Sequence, residues 1–416
     1  MTTNSISETS AEPVYRWVIV SASALMLALS MGMIVNGTSV FFTPLFEEFG
    51  WQRGAVSLIN TSGLVGLAIG GIFMGRIADK TPIHWVVLFG ATVIGLCMLG
   101  ASQADALWQF YLLFFIAGFL GAAAIFAPLI ANVGRWFKTG AGLALGIATA
   151  GQALGQGGMP YVLALLIGAL GWRDALMSVG VTMLVLLISL AMLIKQPPKT
   201  APQSDAAKID NLLVDGGDSV LIAPNTVSVW LGAAAILCCI TMAVPLMHLV
   251  PLMQDRGFPL EDAGSVLLVM LVVAIVGRIA FGKLADLIGA IPTYWIASCW
   301  QTILVFFFLD IDTLHGYYIF AFIYGFGYGG VMTAILVCAR VLTPVSKRAS
   351  VLGIVMFFAF LGHGIGGYQG GFYFDLTGNY TLTYANAAYA GIVNLILVGA
   401  LYFTANRRRA VLALAT

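Results

Sequence analysis

One arginine in this sequence lies where a charged side chain is unusual. Arg278 falls in the middle of an apolar run at residues 262–288, between Val276-Gly277 and Ile279-Ala280. A guanidinium at that depth in a bilayer costs at least a few kcal/mol, so we expect it to face a wet cavity or a partner. Its planar fork of N–H donors matches a carboxylate through two hydrogen bonds. Arg278 therefore predicts a binding site for a carboxylate substrate; the alternatives are an arginine that extends toward the cytoplasmic end of its helix or one that pairs with a buried acid.

A few further side chains in apolar runs are candidates for the same site. Asn36 is predicted either to donate an amide hydrogen bond to a substrate or to join two helices. Tyr324 and Tyr328 lie one helical turn apart in a glycine-rich run, where small residues allow close packing. Phe119 and Phe357 are predicted to form the apolar wall around a short aliphatic acid. Packing or contact with lipid is the alternative for each of these aromatic residues.

Two histidines within apolar runs, His248 and His363, are candidates for proton coupling together with Arg278, because histidine titrates near neutral pH. Neither histidine has an acidic neighbour in sequence, so a hydrogen bond between helices is the alternative for both. No spacing of His, Cys, Asp or Glu indicates a metal site, and no phosphate-binding loop is present. The sequence therefore predicts no cofactor.

The elements that must hold these residues are membrane helices. Of the 416 residues, 60% are hydrophobic and only 9% are charged, which excludes a soluble fold, and a net charge of +1 gives no indication of nucleic acid binding. The apolar residues come in runs of about 20, long enough to cross a bilayer. The runs lie near 16–43, 54–76, 83–103, 107–134, 139–169, 174–195, 227–253, 262–288, 291–309, 315–341, 349–373 and 383–406.

The runs fall into two groups of six. A polar stretch at residues 196–226, rich in Pro, Asp and Gly, is predicted to be a flexible cytoplasmic linker between a first half, 1–195, and a second half with a short tail, 227–416. Gly75-Arg76-Ile77-Ala78-Asp79 after the second run matches Gly282-Lys283-Leu284-Ala285-Asp286 after the eighth. A motif at equivalent places indicates a repeat. We therefore predict an all-α membrane protein of twelve helices in two pseudo-symmetric halves.

The orientation follows from the basic residues. Most of the 19 Lys and Arg residues fall in the connections on the side of the two chain termini. Because cytoplasmic loops carry an excess of Lys and Arg, both termini are predicted to be cytoplasmic. Arg53, Arg173 and Arg256 are assigned to loops on the opposite side.

The repeated loop motif resembles the cytoplasmic loop signature of the major facilitator superfamily. This resemblance implies the major facilitator fold. It also implies that Asp79 and Asp286 are gating residues that latch the two halves in the outward-open state, with Arg135 as a partner. Tight cytoplasmic turns without a gating role are the alternative.

A closer resemblance covers nearly the whole chain. Its stretches are Ser39-Val40-Phe41-Phe42, Pro44 to Gly50-Trp51, Asn132-Val133-Gly134-Arg135-Trp136-Phe137, Gly142 to Ala148, Gly171-Trp172-Arg173 and His248-Leu249-Val250-Pro251. Together they resemble the monocarboxylate transporter family, especially its bacterial members. The resemblance implies a secondary transporter of lactate, pyruvate or similar acids, coupled to protons, that works by alternating access in an inner membrane, generally as a monomer. Arg278 lies four residues before Gly282. In that family the substrate-binding arginine lies at the same spacing before the glycine of the second loop motif, so the resemblance implies this role for Arg278.

The chain departs from the animal members at two positions. They carry an aspartate where this chain has Ala274 and a lysine where it has Asn36, so the usual proton-coupling groups are absent. An anion exchanger of the oxalate/formate type is the alternative, but that family adds a lysine in the eleventh helix, and residues 349–373 contain no Lys or Arg. A membrane enzyme or a membrane sensor is a third possibility. An enzyme would be expected to show clusters of ionisable residues and a sensor a soluble domain, and the sequence indicates neither.

Overall fold

The apolar runs form twelve helices that are long and apolar enough to cross a membrane. The computed structural model describes residues 14–78, 80–137, 141–197, 222–343 and 345–415, with the backbone alone at 141–143, 145, 345–350 and 409–415. The helices are α1 (Tyr15–Phe49), α2 (Arg53–Ala78), α3 (Ile83–Ser102), α4 (Leu107–Arg135), α5 (Ala141–Leu170), α6 (Trp172–Leu193), α7 (Pro224–Asp255), α8 (Leu260–Ile288), α9 (Ala290–Asp310), α10 (Leu314–Leu342), α11 (Val345–Thr377) and α12 (Thr381–Ala415).

The contacts between helices repeat with a period of six. In the first half α1 packs on α5, α2 on α4, and α3 on α6; in the second half α7 packs on α11, α8 on α10, and α9 on α12. The principal contacts between the halves are α2 with α11 and α5 with α8, which are also related by a shift of six helices. The predicted fold of two pseudo-symmetric halves is confirmed. The division at 195 and 227 stays a prediction, since 198–221 lie outside the described residues.

Two helices of the first half are irregular near the middle of the membrane. In α1 the regular helix ends at Met31, and a π-helical segment, Gly32–Asn36, is followed by a 3₁₀ segment, Gly37–Phe41. In α4 a π-helical segment covers Ala117–Ala122. A π-helical turn is rare and is frequently found at functional sites. These two segments contain Asn36 and Phe119, the candidate site residues of the first half.

The twelve spans alternate in direction, so each connection lies on one of two faces. We call the face that carries both chain termini the terminal face and the opposite one the distal face. On the terminal face the ends of three helices are joined: the Tyr15 hydroxyl donates to the Leu193 carbonyl over 2.8 Å, and Asn132 and Trp136 both donate to the Lys195 carbonyl, over 3.0 and 3.1 Å. These bonds fix α1, α4 and α6 within the first half.

On the distal face, an arginine in each half holds the end of that half's third helix. The Arg173 guanidinium donates to the Ser102 and Ala104 carbonyls, each over 3.2 Å, at the end of α3. The Arg256 guanidinium donates to the Leu309 and Ile311 carbonyls at the end of α9. Arg173 and Arg256 therefore satisfy carbonyls at helix ends that would otherwise lack donors.

Candidate functional site

Arg278 lies on α8 beside the tightest part of the α8–α10 contact. A Cβ atom on Gly277 would overlap the Phe326 carbonyl oxygen, and one on Gly329 would overlap the Ala274 carbonyl oxygen. Glycine at these positions lets the two helices touch through their backbones, as small residues do in membrane proteins. The close approach brings the side chain that follows Gly277 up to α10.

The environment of Arg278 supplies no counter-ion. Its side chain is partly exposed, its Nε atom is buried without a hydrogen-bond partner, and none of the ion pairs in the described part of the chain includes it. The Tyr328 phenol on α10 is close enough to interact with the guanidinium electrostatically. A guanidinium with an unused donor beside a phenol can receive a carboxylate.

The two tyrosines of α10 form a buried stack that runs from Tyr328, beside Arg278, to Phe308 on α9. The rings of Tyr324 and Tyr328 are 6.5 Å apart and nearly parallel, and Tyr324 meets the edge of Phe308, with ring centroids 5.1 Å apart. The Tyr324 hydroxyl is buried without a hydrogen-bond partner. The structure thus brings both predicted tyrosines together, with Tyr328 the one beside Arg278.

The candidates from the first half contact other residues of that half. The Asn36 amide donates to the Gln156 carbonyl on α5 over 3.1 Å, while the Asn36 Oδ1 atom is buried without a partner. The bond between helices that was the alternative for Asn36 is therefore present, and contact with a substrate stays a prediction. Phe119 stacks on Phe115 with ring centroids 5.7 Å apart and meets Phe73 at 5.9 Å. These contacts lie within the first half and do not connect Phe119 to Arg278.

A large cavity separates the two halves at the terminal face. Its volume is about 870 Å³, and it lies between α2 and α4 of the first half and α11 of the second. Phe357, a predicted wall residue, lines it. The remaining lining residues are Ile72, Gly75, Arg76, Ala78, Ile83, Ala127, Pro128, Ala131, Asn132, Arg135, Gln196, Gly353, Ile354 and Phe358. The halves are thus apart at this end.

The predicted gating residues lie around this cavity or beyond the described residues. Arg135 lines it, Asp286 is exposed at the end of α8 without any ion pair to a described residue, and Asp79 lies outside the described residues. The predicted latch between halves at this face stays a prediction.

The two histidines are both deeply buried. His248 Nε2 is 2.7 Å from the Gly367 carbonyl, so this nitrogen carries the hydrogen, and its Nδ1 atom has no partner. The imidazole lies 5.5 Å from the rings of both Phe42 and Tyr380. His363 is 7% exposed, and its Nε2 atom has no hydrogen-bond partner. Each histidine therefore has one buried ring nitrogen without a hydrogen-bond partner.

A cluster on the distal face, which the sequence did not predict, joins the two halves through Arg53. Its guanidinium binds both oxygens of Asp255, each over 2.6 Å, and donates to the Tyr380 hydroxyl over 2.9 Å. It also lies 3.9 Å from the centroid of the Phe374 ring, within reach of a cation–π interaction. The Asp375 carboxylate accepts from the Arg53 and Gly54 backbone N–H groups, over 2.8 and 2.6 Å, and so caps α2. Arg53 itself is only 8% exposed.

Polar contacts continue from this cluster along the seam between the halves. The Thr43 hydroxyl donates to the Gln254 side chain over 2.8 Å, and Thr61 donates to the Gly364 carbonyl over 2.8 Å. Together with the Arg53 cluster they close the distal face, whereas the terminal face contains the 870 Å³ cavity. The two halves are thus joined at the distal face and parted at the terminal face.

The sequence carried a partial signal for this cluster. Arg53 and Asp255 each stand at the end of an apolar run, on the same side of the membrane and with opposite charge. The sequence did not indicate that these two helix ends meet, because Arg53 and Asp255 are separated by 202 positions in the chain.

Comparison with known proteins agrees with this architecture. The family model described as the Major Facilitator Superfamily matches residues 24–367 and again 229–415. Monocarboxylate transporter 13 of Rattus norvegicus is 27% identical over 89% of this chain and 85% of its own length. An uncharacterized transporter of the same superfamily type, YcxA of Bacillus subtilis, is 23% identical over 90% of this chain and 92% of its own length.

Two solved structures share the fold. A bacterial homologue of the human lysosomal transporter Spinster, in an inward-facing and unoccupied conformation, superposes with a TM-score of 0.69 at 15% identity, covering 95% of this chain and 98% of that one. A mutant of the nucleoside transporter NupG gives a TM-score of 0.72 at 13% identity, covering 93% of this chain and 100% of that one.

Proposed function

The chain belongs to the Major Facilitator Superfamily, and on that basis we propose that it is a secondary transporter that moves a small monocarboxylate of the lactate and pyruvate class together with a proton. The observation that carries the proposal is Arg278. It is a cation in the interior of a membrane helix, with a buried Nε atom that has no partner and a phenol beside it. A membrane protein retains such a residue for a ligand or an ion pathway.

One cation favours one negative charge. A monocarboxylate on Arg278 cancels the charge of the guanidinium, so a single fixed cation suits a substrate with one negative charge. The site's surroundings, Tyr328 and Tyr324 on α10, offer rings for a short carbon skeleton and a hydroxyl beside the guanidinium. The similarity to monocarboxylate transporter 13 supports the same substrate class.

The transport cycle we propose is alternating access. The distal face is closed by the Arg53 cluster and the terminal face holds a cavity between the halves, as expected for one end state of such a cycle. Asp79, Asp286 and Arg135 are the proposed latch of the other end state. Arg278, His248 and His363 remain the candidates for the proton, and Asn36, Phe119 and Phe357 for further substrate contacts.

We further propose that the protein is a monomer in a bacterial inner membrane, with both termini in the cytoplasm. The distribution of Lys and Arg supports this orientation, since the terminal face then is the cytoplasmic one. Its partners are the carboxylate, protons and the lipid bilayer, with no nucleic acid.

The test is uptake of labelled L-lactate into vesicles that contain the purified protein, with and without an inward proton gradient. We expect uptake that the gradient stimulates and that Arg278→Ala abolishes. Arg340→Ala is the control, because Arg340 is an exposed cation in the last turn of the neighbouring helix α10 and lies outside the repeated loop motif. Arg278→Lys keeps the charge but loses the planar fork, so we expect weaker binding with residual uptake.

Two outcomes would contradict the proposal in different ways. Uptake that ignores the gradient and depends on a trapped internal anion identifies an exchanger. Full uptake by folded Arg278→Ala protein shows that the arginine is structural.

A further inference from the structure

The charged side chains of the protein are divided between its two faces by sign. In the part of the chain that the structure describes, the exposed basic side chains of the terminal face are Arg76, Lys80, Arg135, Lys195, Lys283, Arg340, Arg407 and Arg408, and its one acidic residue is Asp286. The acidic residues of the distal face are Glu47, Glu48, Asp105, Asp174, Asp255, Glu261, Asp262, Asp310, Asp312 and Asp375. Three arginines lie on that face, Arg53, Arg173 and Arg256. The described part of the terminal face is therefore positive, and the distal face is negative.

Neither topology nor helix dipoles account for the acidic distal face. The preference of cytoplasmic loops for Lys and Arg does not extend to Asp and Glu, which contribute little to it. Acidic side chains are favourable in the first turn of a helix and unfavourable in the last, yet Glu47 and Glu48 lie in the last turn of α1, and Asp310 ends α9. None of α1, α3, α7 and α9, which begin on the terminal face, has an acid in its first turn. The division of charge therefore needs another explanation.

The distal arginines leave much of the negative charge in place. Arg53 is paired with Asp255 over 2.6 Å, Arg173 binds two carboxylates over 3.0 and 2.8 Å, and Arg256 donates to carbonyls at the end of α9. Each guanidinium is thus already engaged. The exposed carboxylates that have no ion pair to a described residue include Glu47, Asp174 and Asp310. The solution on the distal side therefore meets a surface that repels anions.

The cavity at the terminal face is lined by charges of one sign. Arg76 and Arg135 are the charged side chains that line its volume of about 870 Å³, and both are exposed. A cleft of this kind, with walls of low dielectric constant, focuses the electric field and raises the local concentration of counter-ions, which speeds association by about 10–10³-fold. The cavity therefore attracts anions at the end of the molecule where the two halves are apart.

We infer that the terminal cavity is an electrostatic vestibule that collects carboxylate anions, and that the acidic distal face repels the same anions. The identity of the anion rests on the proposed function, whereas the field rests on the charges alone. The field changes how fast anions arrive and does not change the final distribution across the membrane. Because salt screens both attraction and repulsion, added salt should slow the entry of a carboxylate from the terminal side and speed its entry from the distal side.

The first experiment measures the field without any substrate. A spin label at Gln103→Cys reports on the distal face and one at Gln196→Cys on the cavity, each in a Cys299→Ser background, since the other four cysteines are buried. In nonionic detergent, the collision rate of each label with anionic chromium oxalate is divided by its collision rate with a neutral nickel chelate. At about 0.01 M salt, where the Debye length is about 30 Å, we expect this ratio to be at least about threefold higher in the cavity than on the distal face. At about 1 M salt the two ratios should agree. Equal ratios at low salt would overturn the inference.

Two matched triple variants test whether the exposed carboxylates produce the distal field. Glu47→Gln, Asp174→Asn and Asp310→Asn together remove three charges, so at low salt we expect the ratio at Gln103→Cys to rise about twofold. Glu47→Asp, Asp174→Glu and Asp310→Glu together keep the charges at the same positions and should match the parent. If the two triple variants give the same ratio, these carboxylates do not produce the field and the inference is wrong.

The second experiment measures the vestibule in transport and rests on the proposed function. Initial rates of labelled lactate entry are measured at a fixed proton gradient in vesicles of neutral lipid, sorted for one orientation by biotin attached to Gln103→Cys from outside. Between about 0.01 and 0.15 M salt we expect entry from the terminal side to slow at least about threefold and entry from the distal side to quicken. Arg76→Gln should weaken the salt dependence on the terminal side, and Arg76→Lys, which keeps the charge, should restore it.

The two experiments fail in distinguishable ways. A salt dependence of the same sign from both sides would overturn the inference while leaving the proposed function intact. If the protein transports no monocarboxylate, the proposed function fails, and the collision ratios, which involve no substrate, decide alone whether the cavity collects anions.

Discussion

The cap that Asp375 places on α2 offers a quantitative test, since a residue of one half caps a helix of the other. Asp375→Asn keeps one carbonyl oxygen for the two N–H groups of Arg53 and Gly54 and removes the charge near the helix N-terminus. Loss of an N-cap costs roughly 0.5–2 kcal/mol. Because Asp375 is exposed, we assign a free-energy cost of about 1 kcal/mol to the loss of this cap. This cost corresponds to about a fivefold change in an equilibrium constant.

The two bonds cross from one half to the other, so their loss shifts the equilibrium between the two folded states, and about 1 kcal/mol is small against the unfolding of a chain of 416 residues. We therefore expect Asp375→Asn to raise the ratio of distal-open to distal-closed molecules about fivefold, measured by spin-label distances across the distal face. The temperature of thermal unfolding should change little. A variant whose distance distribution matches the parent while its unfolding temperature falls would show that the cap stabilises the fold instead. Asp312→Asn, which removes an acid on the same face without touching the seam, should change neither quantity.

Three further substitutions test the environment of Arg278. Tyr324→Phe removes a buried hydroxyl without a partner, so we expect equal or greater thermal stability, by about 1 kcal/mol, and unchanged uptake; a clear loss of stability would reveal a partner for that hydroxyl. Tyr328→Phe removes the phenol beside the guanidinium, and we expect a KM for lactate about fivefold higher with the fold intact, whereas an unchanged KM would exclude this hydroxyl from the site. Gly277→Val places its side chain against the Phe326 carbonyl oxygen. We therefore expect a loss of about 1–3 kcal/mol or more in stability, measured by thermal unfolding, together with loss of uptake. A stable and active variant would contradict the close contact between α8 and α10.

The sequence predicted the fold because the signal is strong and local. Apolar runs of membrane-spanning length and a motif repeated half a chain apart require no knowledge of which helices touch. The depth of Arg278 followed from the same reasoning, since its place in a run fixes its place in the membrane. Its neighbour did not follow, because the contact with Tyr328 depends on how α8 and α10 rotate about their axes.

Two features lay beyond such reasoning. The π-helical segments at Gly32–Asn36 and Ala117–Ala122 leave the apolar pattern unbroken, so hydrophobic runs do not report them. Arg53 was assigned to a loop on the side opposite the chain termini, and the structure has it as the first residue of α2 on the distal face. Its burial and its ion pair arise from a contact between halves, and nothing local to either end of that pair indicates the other.

The joined distal face and the parted terminal face make the protein asymmetric as a carrier. A ligand that arrives from the terminal side finds the receptive state already populated, whereas one from the distal side binds only the fraction of molecules that have opened. The apparent dissociation constant on the distal side is the intrinsic constant divided by that fraction. Half-saturation should therefore require more substrate on the distal side than on the terminal side, although the final concentrations are set by the driving gradients alone.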